Sequence, residues 1–156
     1  SFAGLGGFIC GDERVVSYVK HNSRCLIFAA AMTPASTAAV LKTLELIQSE
    51  PEHLANLKKV GQKAREGLRN LGYQIQDGPT PILYIRVGED LQAFAFWKAL
   101  FEAGVYTNPV VTPGVPVGWS GVRISFMATH TDEDLAQMFA IFEQVGKAFG
   151  LLPASA

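Results

Sequence analysis

From Ser49 onward the spacing of apolar residues switches back and forth between steps of three and four and steps of two, and this alternation restricts the chain to helices layered on a small sheet. Ser49-Glu50-Pro51-Glu52 announces a helix whose stripe is Leu54, Leu57, Val60, Ala64, Leu68 and Leu71, with Gly72 ending it. After Asp77-Gly78-Pro79-Thr80-Pro81, the run Ile82–Val87 is short and rich in β-formers, which predicts a strand. Gly88-Glu89-Asp90 turns the chain into a helix marked by Leu91, Phe94, Trp97, Leu100 and Phe101 and ended near Gly104. Val105-Tyr106-Thr107 is expected to be a short strand leading into a loop with Pro109, Pro113 and Pro116. In Gly121–Met127, Val122, Ile124 and Phe126 share one face and Arg123 and Ser125 the other, so Arg123 points away from the apolar side. Thr131-Asp132-Glu133-Asp134 resembles a capping box, and the helix behind it carries Leu135, Met138, Phe139, Phe142, Val145 and Phe149.

The first third reads differently. Gly4, Gly6 and Gly7 lead into Phe8-Ile9-Cys10-Gly11, expected to be a buried strand, and Asp12 opens a short helix running to Lys20. Thr33-Pro34 is a strong helix start, followed by the stripe Val40, Leu41, Leu44 and Ile47. The expectation is an α/β chain with an α+β small domain: residues 1–48 form the end of a larger domain with a connecting helix, and residues 49–156 a C-terminal small domain of helices on a small sheet.

Composition narrows the function. With 49% apolar residues, 13 Lys and Arg against 14 Asp and Glu and a formal net charge of −1, the chain has material for a core but no basic patch for nucleic acid or an anionic membrane. The longest apolar stretch, Leu26–Leu41, is interrupted by Thr33, Pro34, Ser36 and Thr37, short of the roughly 20 residues of a membrane span. Cys10 and Cys25 have neither disulfide-scaffold count nor metal spacing, so they are expected to be packed thiols in a reducing, cytoplasmic setting. His21, His53 and His130 are far apart in sequence, which predicts no metal site. Gly4-Leu5-Gly6-Gly7 precedes a strand instead of following one, so it does not meet the phosphate-loop rule, and no Gly-x-Ser-x-Gly elbow is present.

Three segments, taken in order, carry a resemblance. Ser1-Phe2-Ala3-Gly4-Leu5-Gly6-Gly7-Phe8, the stretch Ser23–Ala35, and Pro109–Pro116 followed by Arg123–Thr131 are together similar to the C-terminal part of α-oxoamine synthases, fold-type I pyridoxal phosphate enzymes. The wording is closest to serine palmitoyltransferase-like members, with 2-amino-3-ketobutyrate ligase and 8-amino-7-oxononanoate synthase near. The resemblance implies a fold-type I transferase that joins a small amino acid (serine, glycine or alanine) to an acyl-CoA, works as a homodimer and uses pyridoxal 5'-phosphate as electron sink. It implies that Arg123 holds the substrate carboxylate and that Gly114 of the proline loop lines the substrate. It also implies that Ala29 and Ala30 stand at the cofactor phosphate across the dimer, where the family's hydroxyls are replaced here by Ala29-Ala30-Ala31 and a backbone N–H at the following helix start is left to meet the phosphate. Where some members carry an Arg in the proline loop, this chain has Val110-Val111-Thr112.

The resemblance places the Schiff-base lysine immediately before Ser1. Lys20, Lys42, Lys58, Lys59, Lys63, Lys98 and Lys147 all fall on predicted helices, so no catalytic residue is assigned within the chain, and by itself it is expected to be inactive without the N-terminal part of the enzyme. His130, beside the helix-opening Thr131, is expected to cap or pack. Two other classes fit the periodicity alone: a non-catalytic α+β ligand-binding domain, and an interaction protein docking through Ala29–Ala35.

Overall fold

The computed structural model describes residues 2, 4–75 and 78–152. Ser1 and Ala3 of the glycine-rich opening and Asp77 of the loop before the first strand lie outside the described residues. The chain divides into two compact units, residues 1–51 and 52–156.

The first unit holds three helices: α1 (Glu13–Asn22), α2 (Arg24–Ile27) and α3 (Pro34–Ser49). Asp12 caps α1 by accepting the Arg14 N–H at 3.0 Å, and the Thr33 hydroxyl accepts the Ser36 N–H at 3.3 Å at the start of α3, with Pro34 in the first turn. None of the residues of these helices is buried. Two expectations fail here for one reason. Phe8–Gly11 is not a strand: among the described residues no strand pairs with it, and Phe8 and Ile9 stand 77% and 63% exposed. Cys10 and Cys25 are likewise exposed, not packed, because no core closes over them in this unit.

The second unit contains α4 (Glu52–Leu71), β1 (Ile82–Gly88), α5 (Asp90–Glu102), β2 (Asn108–Val110), β3 (Ser120–Ser125) and α6 (Asp132–Ala148). The strands form one antiparallel sheet in the order β1-β3-β2, with Tyr84 opposite Arg123 on one side and Asn108 opposite Arg123 on the other. Gly121 lets β1 approach β3: a Cβ there would stand 2.0 Å from the Ile85 carbonyl oxygen.

One face of the sheet is buried. Leu83 and Ile85 of β1 and Val122 and Ile124 of β3 join Phe96 and Leu100 of α5, Leu135, Met138 and Phe142 of α6, and Ala64 and Leu68 of α4 in a single core. Phe142 sits edge-on to both Tyr73 and Phe96, at centroid distances of 5.7 and 6.2 Å, and the Tyr73 hydroxyl donates to the Phe142 carbonyl at 2.8 Å. Burial pushes the Tyr73 hydroxyl well above the ordinary tyrosine range, so it stays a donor. The capping box at α6 is complete: the Asp134 N–H donates to the Thr131 hydroxyl at 3.2 Å, and the Thr131 N–H to the Asp134 carboxylate at 2.8 Å.

Val105–Thr107 is not the strand expected from its β-formers. The Val105 N–H is spent on the Leu100 carbonyl at 2.8 Å, closing the C-terminus of α5 across Gly104, whose φ is +100°. The Thr107 carbonyl accepts the Trp97 indole N–H at 3.0 Å. Pairing begins three residues later, at Asn108. Pro109 fits within β2 because β2 is an edge strand, where a missing N–H breaks no ladder on the outer side. No helix among the described residues is long and apolar enough to cross a membrane.

Candidate functional site

Among the described residues of the second unit, no helix packs on the other face of the sheet. The alternation that buries Val122 and Ile124 turns Arg123 and Ser125 outward, and the register adds Ile82, Tyr84 and Arg86 from β1 and Asn108 and Val110 from β2. The charged side chains among these strand residues are two guanidiniums, Arg86 and Arg123, so the face is suited to an anion.

Arg123 is exposed. Its Nη2 donates to the Asn108 side-chain oxygen at 3.3 Å. Arg86 is held differently: its Nε donates to the Gly118 carbonyl at 2.9 Å while the guanidinium lies 4.5 Å from the centroid of the Trp119 ring. The Tyr84 hydroxyl donates to the Trp119 carbonyl. Partial burial raises the Tyr84 hydroxyl above its ordinary range, with the Arg86 charge opposing, so Tyr84 remains protonated and donating.

These contacts fix one end of the loop over residues 111–119, which joins β2 to β3. Asp90, the first residue of α5, ties its two ends together by accepting the Thr112 N–H at 3.3 Å and the Ser120 hydroxyl. The Ser120 hydroxyl, and after it the Thr112 N–H, hold the Asp90 carboxyl below the usual carboxylate range. Within the loop the Gly114 N–H donates to the Val111 carbonyl at 2.8 Å, closing a turn that contains a cis Thr112–Pro113 bond. Gly114 is exposed there, in the connection that begins beyond the Val110–Gly121 pair and not among the strand residues around Arg123.

Ala29 and Ala30 belong to the first unit, where both are exposed and carry no side-chain donor. The Ala29 N–H already donates to the Leu26 carbonyl at 3.3 Å. The seven lysines all lie on helices, and Lys42, Lys63, Lys98 and Lys147 are paired with Glu45, Asp132, Glu102 and Glu143. His130 serves packing: its Nδ1 accepts the Met127 N–H at 3.1 Å and its ring meets Phe126 edge-on at 6.0 Å.

The sequence pattern alone does not mark Asn108, Tyr84, Arg86 or Asp90 as site residues. The alternation in 82–87 could have placed Tyr84 and Arg86 on one face. Asn108 has no such signal, because Pro109 hides its strand and its importance follows only from standing opposite Arg123.

The aminotransferase class I and II profile matches residues 1–142. The serine palmitoyltransferase of Sphingobacterium spiritivorum is 45% identical over 148 residues, covering 92% of this chain and 37% of that protein. A putative 8-amino-7-oxononanoate synthase 2 of Mycobacterium tuberculosis is 37% identical over 156 residues, 100% of this chain and 20% of that protein. Among solved structures, the serine palmitoyltransferase of Sphingomonas wittichii superposes with a TM-score of 0.82 at 28% identity, covering 97% of this chain and 39% of that one. The chain thus spans less than two-fifths of the length of each of these three proteins.

Proposed function

Because the chain belongs to the aminotransferase class I and II family, with the α/β architecture of its fold-type I members, we propose that it is the C-terminal part of a pyridoxal phosphate-dependent acyltransferase. In this reading the enzyme joins a small amino acid to an acyl-CoA as a homodimer, and serine is the first candidate amino acid, supported by the 45% identity to a serine palmitoyltransferase. Glycine and alanine, the other two small amino acids that the resemblance implies, are the alternatives, and the 37% identity to a putative 8-amino-7-oxononanoate synthase 2 keeps a second acyltransferase type in view.

The observation that carries the reading is Arg123, an exposed guanidinium on the face of the sheet turned away from the core, in a chain similar to these enzymes along almost its whole length. A planar fork can grip a carboxylate through two parallel N–H donors and fix its orientation, which aligns the bonds at the amino acid's Cα. The loop over residues 111–119, pinned by Asp90, Tyr84 and Arg86, borders the same sheet, and Gly114 there leaves backbone without a side chain in the way of a substrate.

At Ala29 and Ala30 the fit to the cofactor phosphate is poor: neither offers a side-chain donor, and the Ala29 amide already donates to the Leu26 carbonyl. With every lysine on a helix, the 156 residues alone are proposed to lack transferase activity.

The test is Arg123→Ala in the cofactor-loaded enzyme that carries this chain. Loss of a bidentate charge-assisted contact is expected to raise KM for the amino acid roughly a hundredfold, with Arg123→Lys recovering part of it. An unchanged KM in both variants removes Arg123 from the substrate site.

A further inference from the structure

We propose that Asn108 is a positioning residue that sets which edge of the Arg123 guanidinium is presented to the substrate carboxylate. The proposal rests on the reading of Arg123 above and adds to it the residue that makes the grip single-valued.

The geometry begins with the register. Asn108 and Arg123 are direct partners across the β2–β3 pair, so their side chains leave the sheet on the same side. Pro109 follows Asn108 and confines it to extended backbone, which fixes the direction of its Cβ. From there its side-chain oxygen accepts a hydrogen bond from Arg123 Nη2 at 3.3 Å. Arg123 has donors only, so the Asn108 oxygen, not its nitrogen, must face it.

A guanidinium has two edges that can hold a carboxylate bidentately, Nε with Nη2 and Nη1 with Nη2. Nη2 contributes one hydrogen to each. A single acceptor on Nη2 therefore occupies one edge and leaves the other whole. Without it, a long, exposed arginine can offer either edge in many rotamers, and fixing one costs entropy at each binding event. Asn108 also does this without cancelling charge. An aspartate of the same shape would hold the same hydrogen but would pair with the guanidinium and repel an incoming carboxylate.

That difference supplies the experiment. In the cofactor-loaded enzyme, serine is titrated against the cofactor absorbance to give Kd, and steady-state rates give kcat, for wild type, Asn108→Ala, Asn108→Asp and Arg123→Ala. Asn108→Ala is expected to weaken serine about threefold, the loss of one exposed hydrogen bond to a charged group. Asn108→Asp, although isosteric, is expected to weaken it about tenfold, because an exposed ion pair and like-charge repulsion now compete with binding. kcat is expected to change less than twofold in both, and the thermal midpoints to match wild type. The proposal is overturned if Asn108→Asp binds serine as tightly as wild type or more tightly than Asn108→Ala, or if kcat falls while Kd is unchanged. If Arg123→Ala weakens serine and both Asn108 variants do not, the carboxylate reading stands and the positioning role falls. If Arg123→Ala has no effect on serine binding, both fall together.

Discussion

At the scale of single residues, the second unit shows both a thrifty and a wasteful use of polar groups. Asp90 satisfies two donors from opposite ends of one loop. Its carboxyl is held below the usual range, so the pinning is fully present above the ordinary carboxylate pKa and is lost as pH falls through the lowered value. Amide exchange at Thr112 is therefore expected to stay slow at neutral pH and to gain an opening contribution only in strong acid. In Asp90→Ala that opening appears at neutral pH; equal protection in the variant contradicts the role. Thr107 is the opposite case: it is 2% exposed and its hydroxyl has no hydrogen-bond partner. Thr107→Val keeps the shape and removes an unpaired polar atom, and is expected to stabilise the fold by about 1 kcal/mol in urea denaturation. Arg123 was legible in the sequence because alternation alone turns it away from Val122 and Ile124. Asn108 was not, since a residue before proline reads as loop until a partner strand is seen beside it.

At the scale of elements, helices declared themselves through caps and strands through burial. Thr33, Thr131 and Asp12 cap the helices that their sequences announce, because short polar side chains satisfy the first free N–H groups locally. Strand edges depend on distant partners and were less legible. Val105–Thr107 has the composition of a strand but is drawn into closing α5, and Phe8–Gly11 has that composition with no strand beside it. Two substitutions test the element packing. Gly121→Ala places a methyl against the Ile85 carbonyl and Arg86 Cα, backbone that cannot rotate away, and is expected to cost about 3 kcal/mol. Phe142→Ala opens a void where α6 meets Tyr73 and Phe96, and is expected to cost about 4 kcal/mol. A loss below 1 kcal/mol in either variant, by chemical denaturation, contradicts the packing described.

At the scale of the whole molecule, the two units differ in self-sufficiency. Residues 52–156 enclose a core running from Val60 to Leu152, whereas the three helices of residues 1–51 bury none of their residues and leave Leu5, Phe8, Tyr18, Ile27 and Phe28 more than half exposed. Cys10 and Cys25 could not be read correctly from sequence for that reason: a small apolar residue is buried only where its neighbours close over it. Residues 52–156 expressed alone are expected to unfold cooperatively on heating, and residues 1–51 alone to show no cooperative transition by circular dichroism. A cooperative melt of the short piece contradicts this division.

The central claim is that this chain completes the amino acid site of a pyridoxal phosphate acyltransferase. Its most direct test is the visible absorbance of the purified, cofactor-loaded protein that carries the chain, recorded before and after adding serine, glycine and alanine. A cofactor band that shifts saturably with one of these amino acids, and no longer shifts in Arg123→Ala, is the predicted result. A protein with no cofactor band, or a band indifferent to all three, contradicts it.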